Sequence, residues 1–276
     1  MNYQATPLNN EPWLMTLEGH AQLVSSLKEL AALPKAQWPS APNSEPKEPV
    51  QTEPITIVPI KGSMLLGLSP RMRALLELFD IPVTDTGLVA AQLRELAQDE
   101  SVKVVILDIN STGGRVTGTP ELAAAVRELS AKKYVYAFTA DMACSAAYWV
   151  ASQCDAIYAT PSAQLGSIGV ILPLVDSRLK LEKEGIVVDA LSAGKFKTAG
   201  LTGTSLTDEQ RALLQARVDD DWALFKAAVN TRRSIAPEYM EGQCLSGKKA
   251  IDAGLVDAHI NSLPQLMDKL QKRHKL

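Results

Sequence analysis

Residues Val102–Val116 read VKVVILDINSTGGRV. The part through Ile109 is a near-continuous apolar run of strand length, followed at once by polar residues and a glycine pair. Such a run is buried on both faces, as in a strand inside a parallel sheet. Parallel neighbours need crossover connections, usually helices, and the flanking sequence supplies them. Ile55–Ile60 reads as a strand closed by Gly62, and 85–98 as a helix with Leu88, Val89, Leu93 and Leu96 on one face. Downstream come a helix over 121–131, a strand over 134–138, a helix over 145–153 and strands over 155–159 and 167–171. A helix around 173–184 and a strand over 186–190 follow. This βαβα alternation predicts a layered α/β fold.

The ends differ in character. Leu14, Leu17, Leu23, Leu27 and Leu30 recur at helical intervals, which predicts an amphipathic helix over 13–33. Prolines 34, 39, 42, 46, 49 and 54 then forbid regular structure and read as an extended linker. Thr207-Asp208-Glu209-Gln210 is a capping box that opens a long helix to about 230. Its stripe of Leu213, Leu214, Val218, Trp222, Phe225 and Val229 reads as a core or subunit-contact face. The expected division is an arm (1–33), a linker (34–54), a main domain (55–262) and a C-terminal helical tail (263–276).

Composition excludes several classes. A net charge of −3, with no lysine or arginine cluster beyond the C-terminal tail, offers no field for nucleic acid. No stretch is long and apolar enough to span a bilayer, and the N-terminus does not read as a secretory signal. The three cysteines, Cys144, Cys154 and Cys244, lack metal-ligand spacing, and no cofactor loop is present. Free thiols favour a reducing compartment, so a soluble cytoplasmic protein without metal or cofactor is expected.

Chemistry concentrates in three further places. Asp141–Ile171 reads DMACSAAYWVASQCDAIYATPSAQLGSIGVI and sets Ser145 among small residues at the start of an apolar helix. Backbone N–H groups at a helix start can hold an oxyanion. His20, His259 and His274 all lie far from this segment in sequence, so a nucleophilic Ser145 needs another base. Cys144 beside it lacks a histidine to form a thiolate pair and ranks below the serine. Gly113-Gly114, after the buried strand, reads as an oxyanion hole or peptide clamp, although a bare glycine pair by itself reads first as a tight turn. Gly166-Ser167-Ile168-Gly169 marks close backbone approach, by a substrate strand or by a core crossing. Ser167 is a candidate to support the base by hydrogen bonding. In the segment 192–200, SAGKFKTAG, both Lys195 and Lys197 can act as a base if burial disfavours the charge; spacing alone chooses neither.

Taken together and in order, these segments resemble the signal peptide peptidase A family of serine peptidases. The motifs are Asn110–Gly114, Ser145 before Tyr148-Trp149-Val150, Ala159-Thr160-Pro161 with Gly166–Val170, the G-x-x-K turn Gly194–Lys197, and Gly247–Asp257. The resemblance covers roughly 55–261. It implies a Clp protease/crotonase-like fold of repeated ββα units with a C-terminal helical assembly region. It also implies a Ser–Lys dyad of Ser145 and Lys197, and an oxyanion hole from the backbone N–H groups of Gly114 and Ala146. Peptide would lie along Gly113, Arg115 and Val116 and along Gly166, Ser167, Ile168 and Gly169.

A ring-like homo-oligomer is implied as well, in some members with serine and lysine from neighbouring subunits. Thr112 stands where the family carries proline, and no membrane anchor is seen. The chain is most similar to the soluble branch that includes phage capsid-assembly peptidases. That branch implies a soluble serine endopeptidase acting on protein substrates, in host cytoplasm or an assembling virion if phage-encoded. The alternatives on the same fold are a crotonase-like acyl-coenzyme A enzyme and a non-catalytic assembly protein.

Overall fold

The computed structural model describes residues 12–32, 50–52 and 54–276. The elements run β1 (Trp13–Met15), α1 (Leu17–Ala32), β2 (Val50–Thr52), β3 (Ile55–Leu65), α2 (Pro70–Leu78), β4 (Val83–Asp85), α3 (Thr86–Leu96) and β5 (Val104–Arg115). Next come α4 (Thr119–Ser130), β6 (Tyr134–Thr139), β7 (Met142–Cys144), α5 (Ala146–Ala151), β8 (Ala156–Ala159) and β9 (Gln164–Gly166). The chain closes with α6 (Arg178–Lys183), α7 (Asp208–Asn230), β10 (Cys244–Leu245), α8 (Gly247–Asp252), β11 (Ala258–His259) and α9 (Leu263–His274).

β5 is the strand around which the rest is built. It is parallel to β3 on one side and to β6 on the other, and the sheet continues from β6 through β8 to β11. At its far end β5 also pairs with β7, which leads to β9 and β10 in a second, small sheet. Each pair β6–β7 and β8–β9 thus puts its first strand in the main sheet and its second in the small one. With α5 after β7, this is the repeated ββα unit of the Clp protease/crotonase-like fold.

The unbroken apolar run of β5 now has its reason. Val105, Leu107 and Ile109 face the larger core with α3, α4 and α5, whereas Val104 and Ile106 face a second core beneath α9. There Leu266 and Leu270 are fully buried, each contributing about 1.5–3 kcal/mol.

Several elements depart from the sequence expectation. Trp13–Met15 is a strand and the helix begins at Leu17, because the backbone of 13–15 is claimed by β5. The strand expected over 102–109 runs on to Arg115, so Gly113-Gly114 lies within it and not in a turn. Likewise β3 passes Gly62, with a register shift between Lys61 and Ser63. Ser167–Val170 forms no strand; the small sheet takes Gln164–Gly166 instead, and only Ile171 makes an isolated bridge. The helix expected around 173–184 is confined to Arg178–Lys183.

Residues 186–190 find no partner strand among the described residues, and Val187 is 88% exposed. The capping box of α7 is present as expected. Of its expected stripe, however, only Phe225 and Val229 are buried, while Leu213 is exposed. The expected linker lies outside the described residues except for 50–52 and Pro54, as do residues 1–11 and 33 of the expected arm.

Candidate active site

Ser145 sits at the turn from β7 into α5, with φ +56° and ψ −120°. A non-glycine residue pays for such a conformation in strain and holds it only where its surroundings fix it. They do so here. The Ser145 N–H donates to the Gly166 carbonyl at 2.7 Å, and its carbonyl accepts from Trp149 N–H at 2.9 Å. α5 is itself clamped: Tyr148 Oη donates to the Leu255 carbonyl at 3.2 Å, and Trp149 stacks on Phe225 at 4.8 Å. Small neighbours explain the close fit, since Ala143, Cys144, Ala146 and Ala147 are all buried. The Ser145 side chain is buried too, and its Oγ has no hydrogen-bond partner. A buried hydroxyl left unpaired is costly and calls for a reason.

Gly113 and Gly114 approach other backbones too closely for any side chain. A Cβ on Gly113 (φ +109°) would lie 2.0 Å from the Leu14 carbonyl oxygen, and one on Gly114 1.9 Å from that of Met64. Ser111 stitches the irregular strand, donating from Oγ to the Gly62 carbonyl at 2.5 Å and accepting from Gly113 N–H at 3.1 Å. Ser111 also pairs with Ala143, which ties the glycine pair to the strand carrying Ser145. Thr112 packs against Gly19 of α1, where a Cβ would meet its Oγ1 at 2.4 Å. Arg115 lies over the Trp13 ring at 5.6 Å, and the Val116 N–H donates to the Pro12 carbonyl.

The segment Gly166–Gly169 is crossed by residues 242–244. A Cβ on Gly166 would come within 2.9 Å of the Gln243 carbonyl, and one on Gly169 within 3.2 Å of Gly242 Cα. Ser167 N–H donates to the Gln243 carbonyl, and the Ile168 carbonyl accepts from Gly242 N–H and Trp222 Nε1. A core crossing therefore accounts for both glycines.

The two lysines differ. Lys195 Nζ pairs with Glu209 at 3.1 Å. Lys197 closes the G-x-x-K turn through its backbone N–H to the Gly194 carbonyl at 3.0 Å. Its side chain is exposed, and within one chain it makes no hydrogen bond to Ser145 Oγ. No histidine bonds that oxygen either. Cys144 is no competitor. Its thiol lies 3.4 Å from that of Cys244, and this contact together with burial pushes it up, away from the thiolate.

Sequence reasoning missed one participant, the β1 strand itself, whose Trp13 bonds both ways to Ile171. An open groove of about 1390 Å³ continues beyond β1, lined among others by Met15, Thr16, Ser111, Asp141, Ser167 and Ile171. No helix among the described residues is long and apolar enough to cross a membrane, and no group of three metal-ligating side chains occurs among them.

The model of peptidase family S49 matches residues 127–276, a span that holds Ser145 and Lys197 but begins after the glycine pair. Capsid assembly protease C of Escherichia phage lambda is 31% identical over 75% of this chain and 47% of its own length. Head-tail preconnector protein GP5 of Enterobacteria phage P21 is 32% identical over 75% of this chain and 41% of its own. The chain spans about half the length of the curated relatives it matches. An enoyl-CoA hydratase structure from Shewanella pealeana aligns over 82% of this chain and 72% of its own, at 10% identity and TM-score 0.47.

Proposed function

The chain belongs to peptidase family S49, and from that premise we propose that it is a serine endopeptidase with Ser145 as nucleophile and Lys197 as general base. The observation that carries this reading is the buried, unpartnered Ser145 Oγ on a strained backbone. Lys197 in neutral form takes the Ser145 proton as Oγ attacks the peptide carbonyl. The backbone N–H groups of Gly114 and Ala146 receive the oxyanion. As the tetrahedral intermediate collapses, the lysine returns the proton to the leaving amine. Water, deprotonated by the same lysine, then hydrolyses the acyl-enzyme.

Because Lys197 is exposed and makes no hydrogen bond to Ser145 Oγ within one chain, the dyad is completed by the lysine of a neighbouring subunit in a homo-oligomer. The exposed apolar residues that precede it in sequence, Val187 and Leu191, support a subunit contact there. Similarity to two phage assembly proteins supports a protein substrate in capsid maturation. Ser145→Ala lowers peptide cleavage by at least ~10³-fold while the chain still folds and assembles. Cleavage at the wild-type rate in that variant, measured on a fluorogenic peptide, removes the serine from the mechanism.

A further inference from the structure

The strand paired with the glycine segment comes from the chain itself. β1 runs antiparallel to the end of β5 in the register Trp13↔Arg115, Leu14↔Gly114, Met15↔Gly113. Val116 N–H donates to the Pro12 carbonyl at 3.4 Å and Thr16 N–H to the Thr112 carbonyl at 3.1 Å. Hydrogen-bonded pairs alternate along an antiparallel ladder. The pair midway between these two bonds, Leu14 and Gly114, is therefore of the hydrogen-bonded kind, and Gly114 N–H donates to the Leu14 carbonyl. On its other edge Trp13 bonds Ile171 both ways, at 2.7 Å and 3.0 Å. Trp13 and Leu14 are fully buried and Met15 nearly so. The Trp13 ring contacts both the Arg115 guanidinium, which lies over it, and the His20 ring, which meets it at a T-shaped angle.

We propose that Pro12–Thr16 is an internal ligand of the peptide groove, seated in the register of a substrate with Leu14 in the place of the residue whose carbonyl is attacked. This rests on the reading of Gly114 N–H as an oxyanion donor. Three observations converge on it. The arm uses the backbone groups of both walls of the groove, as an added peptide strand does. Its Leu14 carbonyl is held by the N–H assigned to the oxyanion. Past Thr16 the arm leaves the extended conformation for α1, and the groove beyond lies open. The groove accordingly selects extended peptides with a leucine-sized apolar side chain at the Leu14 position. A tethered occupant competes at high effective concentration, so peptides in trans bind weakly until the arm is displaced.

The test uses the full-length chain in the Ser145→Ala background and a fluorescein-labelled heptapeptide, Glu-Pro-Trp-Leu-Met-Thr-Leu, copied from residues 11–17. Anisotropy measures its binding with and without Leu14→Asp. An aspartate at that buried place loses its hydration and expels the arm, so the peptide binds at least ~10-fold more tightly to the double variant. The same peptide with aspartate in place of the leucine that corresponds to Leu14 does not bind. Equal affinity for the two proteins, with native circular dichroism, overturns the assignment. If Leu14→Asp does not fold, Leu14→Ala gives the same comparison with a smaller gain, and no gain there overturns it equally. Binding is read without hydrolysis. A gain in binding, beside a Leu14→Asp chain that keeps Ser145 and still cleaves no peptide, therefore upholds the ligand assignment and sinks the peptidase reading. Hydrolysis without any gain sinks the ligand assignment alone.

Discussion

Ser145 was legible as a residue type in a place: a hydroxyl among small neighbours before an apolar helix. Its backbone conformation was not legible, because φ +56° arises where β7, held by its pairing with β9, gives way to α5. The glycine pair behaves alike. The residues could be read as serving close approach, but the groups they approach, the carbonyls of Leu14 and Met64, come from distant parts of the chain. His20 offers a test at this scale. Its Nε2 is buried without a hydrogen-bond partner, its ring meets Trp13 edge-on, and Arg115 lies over the same indole. Burial holds its pKa below the ordinary 6.5. A group whose folded pKa is lowered contributes stability above its unfolded value and loses it as pH falls through and below that value. Docking of the N-terminal segment therefore weakens as pH drops below about 6.5. Hydrogen exchange of the 12–32 amides, corrected for intrinsic rate, rises between pH 7 and 5.5 in the wild type and stays flat in His20→Gln. Equal behaviour of the two proteins removes His20 from the account.

Elements were most legible where the pattern is local and strong. α3, α4 and the capping box of α7 fall within a few residues of their expected positions, and β5 begins two residues from its expected start. Elements that depend on a partner were not. The helical spacing of Leu14, Leu17, Leu23 and Leu27 is real, yet 13–15 pair as a strand because β5 and Ile171 offer two rows of backbone groups. Residues 186–190 have strand composition and no neighbour to bond. α7 shows the energetic side. Its C-terminal half is anchored where Phe225, fully buried, stacks 8° from parallel on Trp149 of α5. Phe225→Ala costs about 3–5 kcal/mol in unfolding free energy, read from the urea midpoint. It also lowers cleavage by loosening the helix that carries Ser145. A loss under about 1 kcal/mol means that α7 does not brace the site.

The candidate nucleophile and the candidate base have opposite surroundings in the whole molecule. Ser145 is buried among sheets and helices, whereas Lys197 stands exposed on a turn. In the stretch of chain before Lys197, Leu179, Val187 and Leu191 are exposed at 74%, 88% and 96%. If the base comes from a neighbour, inactive chains complement one another. Ser145→Ala and Lys197→Ala, each inactive alone, recover up to about a quarter of the wild-type rate when dissociated and reassembled together. Absence of any recovery in mixed oligomers places both members of the dyad in one chain.

The sequence by itself determined the α/β order, the two-faced burial of β5, the motif positions of Ser145, Lys197 and the glycine pair, and the family they resemble. These follow from residue type, spacing and periodicity, which act over a few neighbours. Only the tertiary structure decided that Gly113-Gly114 lies inside a strand, that Gly166 and Gly169 make room for 242–244, and that β1 fills the edge beside the glycine pair. Each of these turns on which backbone groups find partners. Such pairing spans tens to over a hundred residues, so no local pattern encodes it.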